Sequence, residues 1–156
     1  MEIRLATEAD LSQLAVISEA AGSAAHWTSQ QWQDIFHTKI PARLAWIAED
    51  RSEGNPRSCG FLVAQIGFAQ NGGPEWELEN IAVLPEFRRR GLARLLLSAL
   101  LKHARLQGAQ RILLEVRESN LAAIRLYRAV GFQQRGRRRE YYLNPAEDAL
   151  TLVHVI

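Results

Sequence analysis

One stretch of the chain, residues 80–97, constrains the fold more than any other. An apolar segment at residues 81–84 is followed by Pro85, three consecutive arginines, Gly91 and a leucine-rich segment. This order predicts a strand, a turn and then a helix. Because Gly91 and Ala93 leave the backbone uncovered where the helix begins, its free N–H groups can converge on an anion. The stretch therefore predicts a phosphate-binding loop.

The spacing Arg88-x-x-Gly91-x-Ala93 differs from two common phosphate-binding motifs. The dinucleotide fingerprint requires three glycines, and the P-loop requires Gly-Lys followed by Ser or Thr. Taken alone, these six residues fit a basic helix N-terminus with an incidental glycine equally well. Other parts of the chain must decide between the two interpretations.

Length and composition indicate one globular domain. The chain has 156 residues, of which 47% are apolar and 23% charged, enough for an ordinary buried core. We therefore predict a single domain over residues 1–156. No apolar run approaches the roughly 20 residues of a membrane span, and the N-terminus lacks the basic start and apolar core of a signal peptide. We expect a cytoplasmic protein with no membrane partner.

Cysteine usage narrows the possible chemistry. The only cysteine, Cys59, excludes an internal disulfide. It precedes Gly60 at the start of a predicted strand, where a small packing residue is expected rather than a nucleophile. Cysteine and histidine residues show no metal-ligand spacing, so we predict no metal site.

The net charge of +2 conceals a segregation of charge along the chain. Residues 1–85 carry 5 basic and 11 acidic side chains, whereas residues 86–140 carry 14 basic and 4 acidic side chains. The second segment favours an anionic partner, and the first could attract a cationic one.

Local patterns predict elements in the order β-α-α-β-β-β-α-β-α-β-β. The fold class is therefore α/β (α+β), with a mixed central sheet of about seven strands and four helices on both faces. The predicted strands occupy residues 3–6, 44–49, 59–66, 75–83, 111–117, 133–143 and 149–156. The second and third strands, separated by turn-rich residues 50–56, predict a hairpin.

Capping and apolar spacing define the helices. The first begins after Thr7 and Asp10 and ends at a loosely specified linker, residues 22–26; the second begins at Thr28 or Ser29. Trp32 of the second helix is expected in the core. The third helix should bury Leu92, Leu95, Leu96, Ala99 and Leu100 and end at Gly108, and the fourth, capped by Ser119-Asn120, should bury Leu121, Ile124, Tyr127 and Val130.

Seven motifs, in their order along the chain, resemble the GNAT acetyltransferases and most closely the RimI type. They are Asn80-Ile81-Ala82-Val83, Arg88-Arg89-Arg90-Gly91-Leu92-Ala93, Leu114-Glu115-Val116-Arg117-x-Ser119-Asn120, Ala123-Ile124-x-Leu126-Tyr127, Gly131-Phe132, Arg139-x-Tyr141-Tyr142 and Glu147-Asp148-Ala149. The resemblance covers essentially the whole chain and implies the GNAT fold. RimI-type enzymes acetylate the N-terminal alanine of the eighteenth small-subunit ribosomal protein. The resemblance therefore implies an N-acetyltransferase with acetyl-CoA as cosubstrate and a basic protein N-terminus, that of a small-subunit ribosomal protein, as acceptor.

The resemblance also implies where acetyl-CoA binds. In the family, a strand hydrogen-bonds the pantetheine arm, and the backbone after it binds the pyrophosphate. The matching positions are Ile81, Ala82, Val83, Arg88, Arg89, Arg90, Gly91, Leu92, Ala93, Arg94 and Asn120.

The arginine runs at residues 88–90 and 137–139 also fit a solvated basic patch that binds nucleic acid. Such patches usually carry stacking aromatic residues, and only Phe87 is adjacent to the first run. We therefore expect no direct nucleic-acid partner.

Glu115 and Tyr127 are the candidate catalytic residues. The family transfers the acetyl group directly in a ternary complex, so no nucleophilic side chain is expected. Glu115 lies in an apolar strand, where loss of hydration suits a general base; the alternative is a structural carboxylate paired with Arg117 or another arginine. Tyr127 matches the family tyrosine that protonates the departing thiolate, and the alternative is an ordinary core tyrosine.

The candidates for acceptor binding are Trp27, Glu77, Glu79, Tyr141 and Tyr142. Glu77 and Glu79 would share one face of an alternating strand, where they receive a basic peptide, help deprotonate its amine, or form a solvated edge. RimI-type sequences often have Pro-Trp-Ser or Pro-Trp-Thr before the second helix, whereas this chain has His26-Trp27-Thr28. The departure falls in the region that forms part of the family's peptide-binding wall.

Two other functions remain open. One is a small-amine acetyltransferase of the same fold, and the other is a noncatalytic acyl-CoA-binding or regulatory module. Thiol release from acetyl-CoA with different acceptors would distinguish them.

Overall fold

The computed structural model describes residues 1–22, 25–52 and 54–156. Within these ranges the chain forms seven strands and four α-helices in the predicted order. The strands are β1 (Glu2–Leu5), β2 (Ala42–Asp50), β3 (Arg57–Phe68), β4 (Pro74–Val83), β5 (Arg111–Arg117), β6 (Gln133–Tyr142) and β7 (Glu147–Val155). The helices are α1 (Leu11–Ala21), α2 (Ser29–His37), α3 (Leu92–Leu106) and α4 (Leu121–Ala129).

The strands form one sheet in the order β1-β2-β3-β4-β5-β7-β6. β4 and β5 are parallel, and all other neighbours are antiparallel. Parallel neighbours need a crossover, and α3 provides it by returning the chain from the end of β4 to the start of β5. The predicted mixed sheet and the predicted β2–β3 hairpin are confirmed.

Helices cover both faces of this sheet. Leu14 of α1 and Trp32 of α2 pack on one face with Phe61 of β3. Leu96 of α3 packs on the other face with Leu62 of β3. Successive strand side chains point to opposite faces, so β3 contributes to both halves of the core. The predicted core position of Trp32 is confirmed.

The buried face of α3 differs from the predicted one. Leu95 is 46% exposed, whereas Leu97 is fully buried beside Leu96 and Leu100. In a helix with this many leucines several stripes are possible, and packing against the sheet selects one of them. The prediction for Leu121 is also wrong, because this first residue of α4 is 59% exposed.

β4 and β5 diverge along their length, and this positions the site. They pair only over residues 75–78 and 111–114. A bulge follows at Glu79, because Leu78 faces Ala64 of β3 while Asn80 faces Val63. Residues 80–83 pair with β3 on one side and with no described strand on the other. The divergence opens a cleft between the carboxyl ends of the two strands.

Parts of the predicted linker at residues 22–26 and of the predicted turn at residues 50–56 lie outside the described residues. Gly22 ends α1 with a φ of 64°, a left-handed conformation that glycine adopts readily. None of the described helices combines the length and apolar character needed to cross a membrane.

Candidate active site

The cleft between β4 and β5 has a volume of about 850 Å³ and contains residues from four sequence motifs. β4 and β5 form two of its walls, and Asn120, the N-cap of α4, and Tyr127 within that helix also line it. The predicted site residues that line it are Glu79, Ile81, Glu115, Asn120, Tyr127 and Tyr142. The arginine loop lies beyond the last residue of β4 and is not part of this lining.

The loop before α3 offers backbone N–H groups to an anion. Arg89 and Gly91 adopt left-handed conformations, with φ of 63° and 80°. Turns of this kind, followed by a helix N-terminus, make concavities that bind anions. The N–H groups of residues 89–94 donate to no partner within the described part of the chain. These observations fit a phosphate group at the start of α3.

The arginine side chains of this loop have other partners. The guanidinium of Arg88 donates to the carbonyl oxygen of Val83 at 3.1 Å and to that of Ala21. Arg90 lies over the ring of Phe87, 5.2 Å from its centroid. Arg88 therefore links the end of β4 to the end of α1. The loop geometry supports a backbone role in anion binding more than a side-chain role.

α4 presents Asn120 and Tyr127 to the cleft. Asn120 Oδ1 accepts a hydrogen bond from the Ala123 N–H at 3.2 Å, which confirms the predicted cap. Tyr127 is 7% exposed and packs edge-on against Phe132. Burial raises the pKa of Tyr127, so its phenol is protonated at neutral pH. This is the protonation state that an acid catalyst requires.

Glu115 lies where the cleft meets a second pocket. Its side chain is 16% exposed, and Oε1 lies 2.7 Å from Nε of Arg138 on β6. The Tyr141 hydroxyl also donates to Glu115, which raises the pKa of Tyr141. Arg117, the partner named from the sequence, contacts Glu147 instead, at 3.4 Å. Glu115 is thus a mostly buried carboxylate whose arginine partner comes from β6.

The second pocket, here called the acidic pocket, has a volume of about 290 Å³ and adjoins the cleft at Glu115 and Tyr142. It brings together all the acceptor-binding candidates, namely Trp27, Glu77, Glu79, Tyr141 and Tyr142. Asp34 of α2 and Arg43 of β2 also line it, and sequence reasoning missed both. Arg43 could have been found from the sequence, because it is a charged residue directly before the predicted strand at residues 44–49.

The carboxylates of Glu77 and Glu79 are not equivalent. Glu79 is paired with Arg43, with Oε2 at 2.6 Å from Nε and Oε1 at 2.9 Å from Nη2. Glu77 forms no ion pair with any residue that the structure describes. Partial loss of hydration, with the nearby carboxylates of Glu79 and Glu115, raises the pKa of Glu77. A bound cation would relieve this repulsion.

Cys59 takes no part in the site. It is fully buried, and its thiol donates to the Ala48 carbonyl oxygen at 3.2 Å. Burial raises the pKa of Cys59 to about 11, which suppresses the thiolate. The predicted packing role is confirmed. In residues 1–22, 25–52 and 54–156, no group of three or more His, Cys, Asp or Glu side chains could hold a metal ion.

Residues 10–132 match the Acetyltransferase (GNAT) family. The chain is 44% identical over 99 residues to the N-alpha-acetyltransferase RimI of Mycobacterium tuberculosis, an alignment that covers 62% of this chain and 61% of that protein. It is 50% identical over 86 residues to the ribosomal protein bS18-alanine N-acetyltransferase of Salmonella typhimurium, covering 55% of each chain. The chain thus spans 55–61% of the length of these two relatives. A putative ribosomal protein bS18-alanine N-acetyltransferase of Bacillus subtilis is 38% identical over 135 residues, covering 86% of this chain and 82% of that protein.

Solved structures show the same architecture. The ribosomal-protein-S18-alanine N-acetyltransferase from Escherichia coli superposes with a TM-score of 0.82 at 29% identity, covering 99% of this chain and 93% of that one. Arabidopsis thaliana NAA60 in complex with acetyl-CoA superposes with a TM-score of 0.87 at 23% identity, covering 99% of both chains. The second comparison supports the fold alone.

Proposed function

Because the chain belongs to the GNAT acetyltransferase family, we propose that it is an acetyl-CoA-dependent N-acetyltransferase. Its proposed acceptor is the N-terminal alanine of a small-subunit ribosomal protein, because its Salmonella typhimurium relative is named for the alanine of ribosomal protein bS18. The observation that carries the proposal is the junction at Glu115, where the β4–β5 cleft meets the acidic pocket. A thioester bound in the cleft and an amine bound in the pocket would meet at this carboxylate.

The cleft and the loop fit acetyl-CoA, which supplies the acetyl group as a thioester. Residues 80–83 have no strand partner on the cleft side among the described residues, so they can pair with an extended ligand as with an added strand. The free N–H groups before α3 suit a pyrophosphate. The proposed contacts are Ile81, Ala82, Val83, Arg88, Arg89, Arg90, Gly91, Leu92, Ala93, Arg94 and Asn120.

Two side chains move protons in the proposed reaction. The acceptor amine must lose a proton before its nitrogen attacks, and Glu115 accepts that proton. A backbone N–H of β4 polarises the thioester carbonyl. As the amide bond forms, the bond from carbon to sulfur breaks, and the Tyr127 hydroxyl donates its proton to the thiolate. The second proton that the nitrogen loses returns to Tyr127 through solvent, and Glu115 releases the first proton to solvent.

The acidic pocket is the proposed site for the acceptor. Glu77 and Asp34 give it negative charge, and the rings of Trp27, Tyr141 and Tyr142 form its walls. A basic protein N-terminus suits this charge.

A ribosomal substrate also favours a cytoplasmic location. Because every proposed site residue lies in the same sheet-and-helix unit, we propose that residues 1–156 act as one domain.

Thiol release from acetyl-CoA tests this function. The acceptors are peptides that begin with Ala-Arg, the same peptides with a blocked N-terminus, and a panel of polyamines and aminoglycosides. We expect release with the free peptides alone, with the acetyl group located on the α-amine by mass spectrometry. Release with the polyamines or aminoglycosides alone would indicate a small-amine acetyltransferase. Acetyl-CoA binding without release for any acceptor would indicate a noncatalytic module.

A further inference from the structure

Two arginines neutralise carboxylates at the acidic pocket, and the protein holds them differently. Arg43 makes two hydrogen bonds to Glu79 and one to Gln65, and its side chain is 18% exposed. Arg138 has one charged contact, from its Nε to Glu115, and its side chain is 61% exposed. Arg43 is a fixed part of the pocket wall, whereas Arg138 is a surface side chain with a single ionic contact.

The position of Arg138 allows its side chain to move away from Glu115. It lies on β6, the edge strand of the sheet, opposite Ala149 of β7. The strand register shifts between Arg138 and Tyr142, so Arg138 is the last residue before the irregular segment. Its guanidinium lies 5.3 Å from the centroid of the Tyr141 ring. Turning this side chain towards solvent would break no backbone pair and would bury no charge.

Glu115 tolerates the loss of its ionic partner less easily than Arg138 does. Its side chain is only 16% exposed, and an isolated carboxylate with so little hydration is unfavourable. On β4, the carboxylate of Glu77 lines the same pocket and repels it, and Glu79 is already paired with Arg43. Tyr141 and Tyr142 of β6 provide hydroxyl groups and no positive charge. When Arg138 leaves, another cation must take its place.

We propose that Arg138 is the resident counter-ion of Glu115 and that the α-ammonium group of the acceptor displaces it on binding. The inference rests on the proposed function, because it takes the acceptor to be an amine. The ammonium then lies between Glu115 and Glu77 and transfers its proton to Glu115 before it attacks. Arg138 is a positioning residue: it holds Glu115 between turnovers and competes with each incoming amine.

The competition between Arg138 and the acceptor ammonium should change acceptor binding by a measurable factor. An exposed ion pair changes an equilibrium constant by a factor of up to about five. Because the acceptor must first break the Arg138 contact, apparent acceptor binding is weakened by the same factor. Removing the arginine should therefore improve acceptor binding, which is the opposite of what the loss of a substrate contact would do.

Three variants test the inference by steady-state kinetics on a peptide beginning with Ala-Arg. Arg138→Gln should lower the peptide KM about two- to fivefold and leave the Kd for acetyl-CoA unchanged. Arg138→Lys, which keeps the charge, should stay near the wild-type KM. Arg139→Gln is the matched control, because it removes one positive charge from the same strand without a contact to Glu115. A raised KM in Arg138→Gln, or an equal fall in Arg139→Gln, would overturn the inference.

Calorimetry on the CoA-saturated protein separates this inference from the proposed function. The free-amine peptide should bind Arg138→Gln more tightly than the wild type, whereas the N-acetylated peptide should bind both equally. If the wild type releases no thiol but this binding difference is present, the proposed function is wrong and the counter-ion role stands. If Arg138→Gln binds the free-amine peptide no more tightly than the wild type does, the counter-ion role is wrong, whatever the turnover.

Discussion

At the scale of residues, the two proposed proton-transfer groups lie in different electrostatic settings. Tyr127 is buried against Phe132, and burial raises its pKa. Glu115 is mostly buried as well, but Arg138 and Tyr141 supply it with a positive charge and a hydrogen-bond donor. Tyr127 is therefore suited to remain protonated, whereas Glu115 is held by an ion pair and a hydrogen bond.

Substitution at these two positions should have distinguishable effects on turnover. Glu115→Gln cannot accept the amine proton, so kcat should fall roughly a hundred- to ten-thousandfold at neutral pH. Raising the pH should restore part of it, because neutral amine then forms without a base. Tyr127→Phe should also lower kcat, but alkaline buffer should not restore it, since protonation of the thiolate is what is missing. Profiles of kcat against pH measure both effects.

Tyr142→Phe is the matched control for the loss of a phenolic hydroxyl near the cleft. It should lower kcat far less than Tyr127→Phe does. All three variants must first bind acetyl-CoA as the wild type does. Normal turnover by Glu115→Gln at pH 7 would contradict its role as base. Glu77 would then be the next candidate, since Glu79 is occupied by Arg43.

At the scale of elements, the junction of β4 with α3 and the divergence of β4 from β5 form the proposed acetyl-CoA site. The bulge at Glu79 separates the two strands, and the left-handed residues Arg89 and Gly91 shape the loop that enters α3. Both features are backbone features. Substitutions that alter the backbone conformation should therefore affect ligand binding more than changes of loop side chains do.

Gly91→Val should weaken CoA binding by roughly five- to thirtyfold while the protein stays folded, because the loop must leave or strain its left-handed conformation. A Cβ at Gly91 meets no atom within 4 Å, so the effect arises from the φ of 80°, which costs an L-residue about 1–2 kcal/mol. Gly108→Val is the control, because Gly108 has a φ of 73° just beyond the other end of α3. Gly108→Val should lose about as much stability as Gly91→Val does but keep the CoA affinity of the wild type. Calorimetry that finds unchanged CoA affinity in folded Gly91→Val would refute the phosphate-loop assignment.

At the scale of the whole molecule, ion pairs join segments that are far apart in the chain. Nη2 of Arg4 lies 2.8 Å from Asp10 Oδ1 and 2.6 Å from Glu49 Oε1, which links β1 to the start of α1 and to β2. Asp10 and Glu49 are both buried. The Arg4 guanidinium lowers the pKa of Asp10 to about 2, and the Thr7 N–H contributes a further hydrogen bond.

This network should make stability depend on pH in acid. The Asp10 pKa is below its ordinary value of 3.8, so its contribution is complete above that value and is lost as the pH falls towards about 2. Urea unfolding should find Asp10→Asn less stable than the wild type by about 1–2 kcal/mol at pH 6, with most of the difference lost by pH 2. Glu19→Gln, on the exposed face of α1, should show no such difference. A difference for Asp10→Asn that is constant from pH 6 to pH 2 would contradict the assignment.

The sequence alone determined the features that depend on neighbouring residues. The order of strands and helices, the β2–β3 hairpin and the Asn120 cap were predicted correctly because local apolar spacing and capping residues specify them. Only the tertiary structure decided which charges meet. Arg43 neutralises Glu79 and Arg138 contacts Glu115 because strand order and register bring distant positions together, and no local pattern encodes that distance. The same holds for Leu95 and Leu97, since the surface that α3 packs against selects its buried face.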